Sequence, residues 1–191
     1  LVGPVRLADI FDGHSQLITY HHMWTDGAPW QCPGCTGYTS QFTRLEFLAN
    51  YDARFVIVTN GPIGEALAYK NRVGNTMQWY SSSENHFGAD VDAAAGEGFA
   101  INVFLRDGDA VYRTWHTAGR GVEQLGHVFG LIDVLPWGRQ EQWQDSPDGW
   151  PQPWGDARNP EVWRVNGRPV AQWSRIEAGR YDLHEESFRL V

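Results

Sequence analysis

Apolar and aromatic residues fill both alternating positions of SQLITYHHMW, residues 15–24. That is the pattern of a strand covered on both sides. Further on, Tyr38, Phe42, Leu45 and Ala49 recur at helical spacing with polar residues between them. ARFVIVTN (53–60) reads as a second strand, stopped by Gly61-Pro62. IGEALAYKNRVG (63–74) reads as a helix with Ile63, Leu67 and Tyr69 or Lys70 toward the core, ended by Gly74. MQWYSSS (77–83) is a short third strand, and the polar, small, Gly-bearing residues 84–98 read as a loop. AINVFLRDGDAVYRTWHT (100–117) alternates on both sides of Asp107-Gly108, which predicts a hairpin. GVEQLGHVFGLIDVL (121–135) predicts a last helix with Val122, Leu125, Phe129 and Ile132 on one face. From Pro136 the pattern breaks. Pro, Gly, Asp and Trp dominate up to Pro160, and EVWRVNGRPVAQWSRI (161–176) then predicts a hairpin around Asn166-Gly167.

Strands that alternate with helices pair in parallel, and a hairpin adds antiparallel strands. The expected class is α/β, a central mixed sheet flanked by helices. Residues 1–136 would form this domain. Residues 137–191 would form a Trp-rich C-terminal extension, containing the hairpin, packed on it.

The chain has 191 residues, 42% of them apolar, enough for one compact domain with a sizeable core. A net charge of −8 speaks against non-specific binding to nucleic acid, which needs a positive footprint. No apolar run approaches the roughly 20 residues that span a bilayer. Neither nucleic acid nor membrane is therefore expected as a partner. No signal peptide is visible and only two cysteines occur, so the cytoplasm is the expected compartment.

Those two cysteines, Cys32 and Cys35, stand in PWQCPGCTGY, at the join between the first strand and a helix N-terminus. A disulfide across so short a loop adds little stability. A helix N-terminus carries about half a positive charge and unpaired N–H groups. It favours the thiolate of Cys32, while Cys35, one turn on, is placed to resolve a mixed disulfide. Pro33 suits a first-turn position. Trp30 would form an apolar lip for substrate or pack in the core. His21 and His22 end the strand that leads into the motif, and successive strand residues face opposite ways. One of them is expected to tune protonation of the dithiol. Arg120 is a candidate anion contact near the last helix.

The alternative chemistry is metal binding. Thiolates and imidazole suit Cu(I) or Zn(II). A second C-x-x-C and an H-x₃-H are both lacking, so zinc spacing is absent. A set of Cys32, Cys35, His22 and His116 would have to be assembled by the fold, with copper the metal to try first. P-loop, GxGxxG, GxSxG and HExxH motifs are also lacking.

VRLADIFDGHSQLITYHHMW, C-P-G-C, RFVIVTNGPIGEALAYKNRVG, WYSS, FLRDGDAVYRT, GRG and LIDVLPWGRQEQWQDSPDGWPQ together resemble the DUF899 family of bacterial thioredoxin-like proteins, over about residues 5 to 152. The resemblance implies a thioredoxin fold and little about reaction. Disulfide oxidoreductases of that fold place a cis-proline where Ala100 stands here, which turns the expectation from protein disulfides to a small-molecule substrate at Cys32, Cys35 and Ala100. Family members more often have an aromatic at the place of His22 and a small hydroxyl residue at that of His116. The tail after about residue 153 departs from the family's usual ending, and would cover the active-site face or pair with a second subunit in a homodimer. Peroxiredoxins use T-x-x-C, and Pro29 stands at the threonine position here. The leading expectation is a thiol–disulfide oxidoreductase acting on a small molecule and reset by a thiol reductant.

Overall fold

The structure, a computed structural model, describes residues 3–42, 44–94, 98–136, 138 and 147–148, with the backbone of 164–165 and 168–169. These fall into two compact units, one of residues 1–23 and 42–122, the other of residues 24–41 and 123–191.

The first unit is built on a five-stranded sheet. Its strands are β1 (Gln16–His22), β2 (Ala53–Thr59), β3 (Trp79–Ser81), β4 (Ala100–Asp107) and β5 (Ala110–Ala118), in the order β3-β2-β1-β4-β5. β1 pairs in parallel with β2, and β2 with β3. β4 runs antiparallel to both β1 and β5. This is the mixed sheet that the alternation of strands, helices and one hairpin predicts. The hairpin turns at Gly108, whose φ of +58° suits a residue without Cβ.

The register sorts the strand residues onto two faces. His21 lies opposite Ala100 and Val58, and Thr19 lies opposite Asn102 and Val56. With Leu17 and Phe104 these share one face, because alternate strand residues point the same way. That face carries the core cluster of Leu17, Val56, Val58, Ala100 and Phe104. It is covered by Ile10 of α1 (Leu7–Ile10), by Phe11, and by the segment of α4 (Phe87–Asp90) with Val91 and Ala93. The other face carries His22 and Trp79, against Tyr69 of α3 (Ile63–Arg72).

Three local expectations shift. In α3 the buried residues are Ala66 and Tyr69, while Ile63 and Leu67 are exposed. The stripe turns so that Tyr69 meets His22 edge-on, with ring centroids 6.0 Å apart. The loop of 84–98 contains α4. Its first turn is nucleated by Asn85, whose Oδ1 accepts from the Phe87 N–H at 2.9 Å. The hairpin also carries a bulge. Val103 lies opposite Trp115 and Phe104 opposite Arg113, so Thr114 is the extra residue. The bulge places Arg113 and His116 on one face.

The second unit holds α2 (Pro33–Ser40) and α5 (His127–Asp133). The apolar spacing from Tyr38 to Ala49 predicts a helix running on from the motif, but α2 ends at Ser40. Gln41 terminates it: its Nε2 donates to the Tyr38 carbonyl at 2.9 Å, and its Oε1 accepts from the Val128 N–H at 3.0 Å. Leu45–Tyr51, in the first unit, is instead a 3-10 turn. The final helix is also divided. Gly119–Leu125 is 3-10, and α5 begins after Gly126. A Cβ on Gly126 would stand 2.7 Å from the Phe129 ring and 3.0 Å from that of Tyr38, so only glycine admits the Tyr38–Phe129 stack, centroids 6.4 Å apart. Phe129 is buried as the spacing predicts, whereas Leu125 is exposed.

In the C-terminal part, Arg164–Val165 and Arg168–Pro169 pair antiparallel. Apart from residues 138 and 147–148, the rest of the expected Trp-rich extension lies outside the described residues. Among the described residues, no helix is long and apolar enough to cross a membrane.

Candidate functional site: the dithiol turn

Cys32 is the N-cap of α2 and Cys35 lies in its first turn. The Cys35 N–H points at the Cys32 Sγ, 3.4 Å away. A helix N-terminus leaves its first N–H groups without partners inside the helix, and here one is directed at sulfur. The cysteine side chains are buried, at 2% and 0% exposure. Their carbonyls are held by threonine hydroxyls. Thr36 Oγ1 donates to the Cys32 carbonyl at 2.9 Å, and Thr39 Oγ1 to that of Cys35 at 2.9 Å. Such back-bonding replaces water as the partner of a buried carbonyl.

The turn before the motif is fixed by Gln31, which is fully buried. Its Nε2 donates to the carbonyls of Thr25 (3.0 Å) and Ala28 (3.1 Å), and its Oε1 accepts from the Thr25 N–H (2.9 Å). One side-chain amide therefore closes the loop 25–31 onto itself and sets where Cys32 enters α2. Gln31 is the residue that pattern reasoning passed over. A polar residue directly before a buried cysteine is its only signal in the sequence. Trp30 is buried, at 9% exposure. Tyr38, one turn past Cys35, is also buried, and desolvation pushes its phenol pKa up.

Cys32, Cys35 and Trp30 belong to the unit that carries α2. His21, His22, Ala100, His116 and Arg120 belong to the sheet unit. Within the sheet unit, His22 is fully buried. Its Nδ1 donates to the Met23 carbonyl at 2.8 Å, and its ring lies 5.2 Å from that of Trp79. His21, also fully buried, sits on the opposite face with its ring 5.6 Å from Phe87. Burial alone lowers its pKa from 6.5 to about 4, so it is neutral at pH 7. Ala100 is buried directly opposite His21. Among the described residues no peptide bond is cis.

His116 shares the His21 face and lies on the face opposite His22. Its Nδ1 donates to Asn102 Oδ1 at 3.1 Å, and its Nε2 stands 3.9 Å from Asp92 Oδ2. Arg113 reaches the same two groups, Asp92 at 2.8 Å and Asn102 at 3.3 Å. Arg120 is exposed. Among the described residues, no group of three or more His, Cys, Asp and Glu side chains is placed to hold a metal ion.

The model of one protein family, DUF899, described as a bacterial protein of unknown function, matches residues 2–164. No curated protein matches the chain.

Proposed function

The chain belongs to the DUF899 family, and we propose that it is a thioredoxin-like thiol–disulfide oxidoreductase working through Cys32 and Cys35 on a small-molecule disulfide. The observation that carries this reading is the Cys32 sulfur at the N-cap of α2, receiving the Cys35 N–H. That position favours the thiolate through the helix dipole and a direct donor. A C-x-x-C that follows a strand and opens a helix, in a chain that also forms parallel strands and an antiparallel hairpin, is the pattern read as a redox centre.

The reaction balances as two exchanges. The Cys32 thiolate attacks one sulfur of a disulfide RSSR, forming a Cys32–S–SR bond and expelling RS⁻. Cys35 loses its proton, and its sulfur attacks Cys32 Sγ. The intramolecular disulfide forms and the second RS⁻ leaves. Two electrons pass to the substrate, the two thiolates are protonated, and a thiol reductant restores the dithiol.

The test is reduction of a small disulfide, such as oxidised glutathione, by the pre-reduced protein. Wild type is expected to release two equivalents of thiol per chain. Cys32→Ser is expected to release none, and Cys35→Ser is expected to accumulate a glutathione adduct on Cys32. Unchanged thiol release by Cys32→Ser would end the proposal. Elemental analysis of the same sample tests the copper alternative. Metal near one per chain, lost in both Cys32→Ala and His22→Ala, would replace a redox pair with a metal site.

A further inference from the structure

The sheet unit contains a polar cluster that the dithiol reading does not use. Thr19, His21 and Asn102 lie on one face of the sheet, and all three are fully buried. Thr19 and Asn102 are directly opposite each other across the β1–β4 ladder, and His21 is two residues along β1 from Thr19. Among the described residues, Thr19 Oγ1 and both ring nitrogens of His21 have no hydrogen-bond partner.

Asn102 is engaged on most of its amide. Its Nδ2 donates to the Val91 carbonyl at 3.2 Å, and its Oδ1 accepts from Arg113 and His116. An NH₂ group has two hydrogens, and one contact to Val91 uses one of them. The described residues paired with His21 across the ladders are Val58 and Ala100, and its ring contact is Phe87, all three apolar.

Leaving a hydroxyl, an imidazole N–H and an imidazole lone pair unpaired in a core is costly. Direct pairing of Thr19 with His21 is disfavoured by spacing. Residues two apart on a strand are about 6.6 Å apart along it. Two hydrogen bonds of about 2.8 Å placed end to end cover nearly that distance. Buried water occurs where several otherwise unsatisfied polar groups converge, and it makes about three hydrogen bonds.

We propose that the sheet unit has an internal water-binding site, in which one water molecule bridges Thr19 Oγ1, a ring nitrogen of His21 and the second hydrogen of Asn102 Nδ2. The ligand is a single neutral molecule that both donates and accepts. The hydroxyl and the imidazole do both as well, so the bridge closes whichever tautomer His21 adopts.

The site is tested by NMR on the full-length chain with ¹⁵N-labelled histidine at pH 7.5. Wild type is expected to show a rotating-frame cross-peak between water and the His21 ring protons, which marks a bound water of long residence. Thr19→Val keeps the shape and removes the hydroxyl. It is expected to shift the ¹⁵N resonance of one His21 ring nitrogen and to weaken that cross-peak at least twofold. A wild-type His21 ring with no water cross-peak overturns the site, and so does a ring nitrogen unmoved by Thr19→Val in a folded protein. If Thr19→Val does not fold, a crystal structure of the wild type decides. A density peak within about 3.2 Å of both Thr19 Oγ1 and a His21 nitrogen supports the proposal. A peak with an anomalous metal signal, or an empty gap, contradicts it. None of these readings depends on the dithiol.

Discussion

Mild acid should destabilise this protein through His21, and the size of the effect follows from its burial. The unfolded imidazole takes its proton below pH 6.5, whereas the folded one, desolvated against Phe87, does so only near 4. Between those values the unfolded chain holds more protons, so stability falls as pH falls. The loss starts below pH 6.5 and levels off once the pH is under about 4. With these two values, linkage predicts a loss of about 2 kcal/mol between pH 7.5 and pH 5. The assay is urea unfolding of wild type and His21→Phe at both pH values. Phenylalanine occupies the same space without a titrating group, so its pH 7.5 to pH 5 difference should be smaller by about 2 kcal/mol. The other histidines are common to both proteins and cancel in the comparison. Equal acid sensitivity in the two proteins would refute the reasoning, because it would mean that the His21 site accommodates a charge without penalty.

Gly88→Ala should destabilise by about 1–3 kcal/mol, as overpacking does. Its Cβ would stand 2.2 Å from Asn60 Oδ1 and 2.8 Å from the Ala93 carbonyl, and the second of these is backbone; thermal unfolding reads the loss. Asn102→Ala strips partners from the Val91 carbonyl, Arg113 and His116. It should cost about 1–3 kcal/mol in urea, and a value near zero would show that water replaces the amide. Gln31→Ala leaves the Thr25 N–H and two carbonyls without their side-chain partner. It should raise the rate at which Cys32 is alkylated, read by mass spectrometry, since the loop 25–31 that leads into Cys32 would no longer be tied to itself.

Much of the sheet is written in short-range pattern. β1, β2 and the hairpin of β4 and β5 are found within a residue or two of where alternation and turn dipeptides place them. What the pattern misses is decided by single side chains that reach across sequence. Helical spacing runs on past Ser40, but Gln41 spends its amide on the Tyr38 carbonyl and the Val128 N–H, and periodicity contains no trace of Val128. Likewise Gly126 interrupts an amphipathic run because two aromatic rings need its missing Cβ. In the candidate site, the placement of Cys32 and Cys35 at a helix start is legible in the sequence, because an apolar strand precedes the motif and helical spacing follows it. The histidines were harder. Alternation correctly says that His21 and His22 face opposite ways, but not that Phe87 covers one ring while Trp79 and Tyr69 flank the other. The bulge at Thr114 leaves no mark on composition, yet it brings Arg113 and His116 together on Asn102.

The central claim, that Cys32 and Cys35 form a working redox pair, is tested most directly by equilibrating the protein in a series of glutathione redox buffers. Thiol alkylation then counts the free cysteines at each potential. The account predicts a single two-electron transition in which both thiols disappear together, absent in Cys32→Ser. Cysteines that stay fully alkylatable across the series, or that become reactive only after a chelator removes stoichiometric copper, would contradict it.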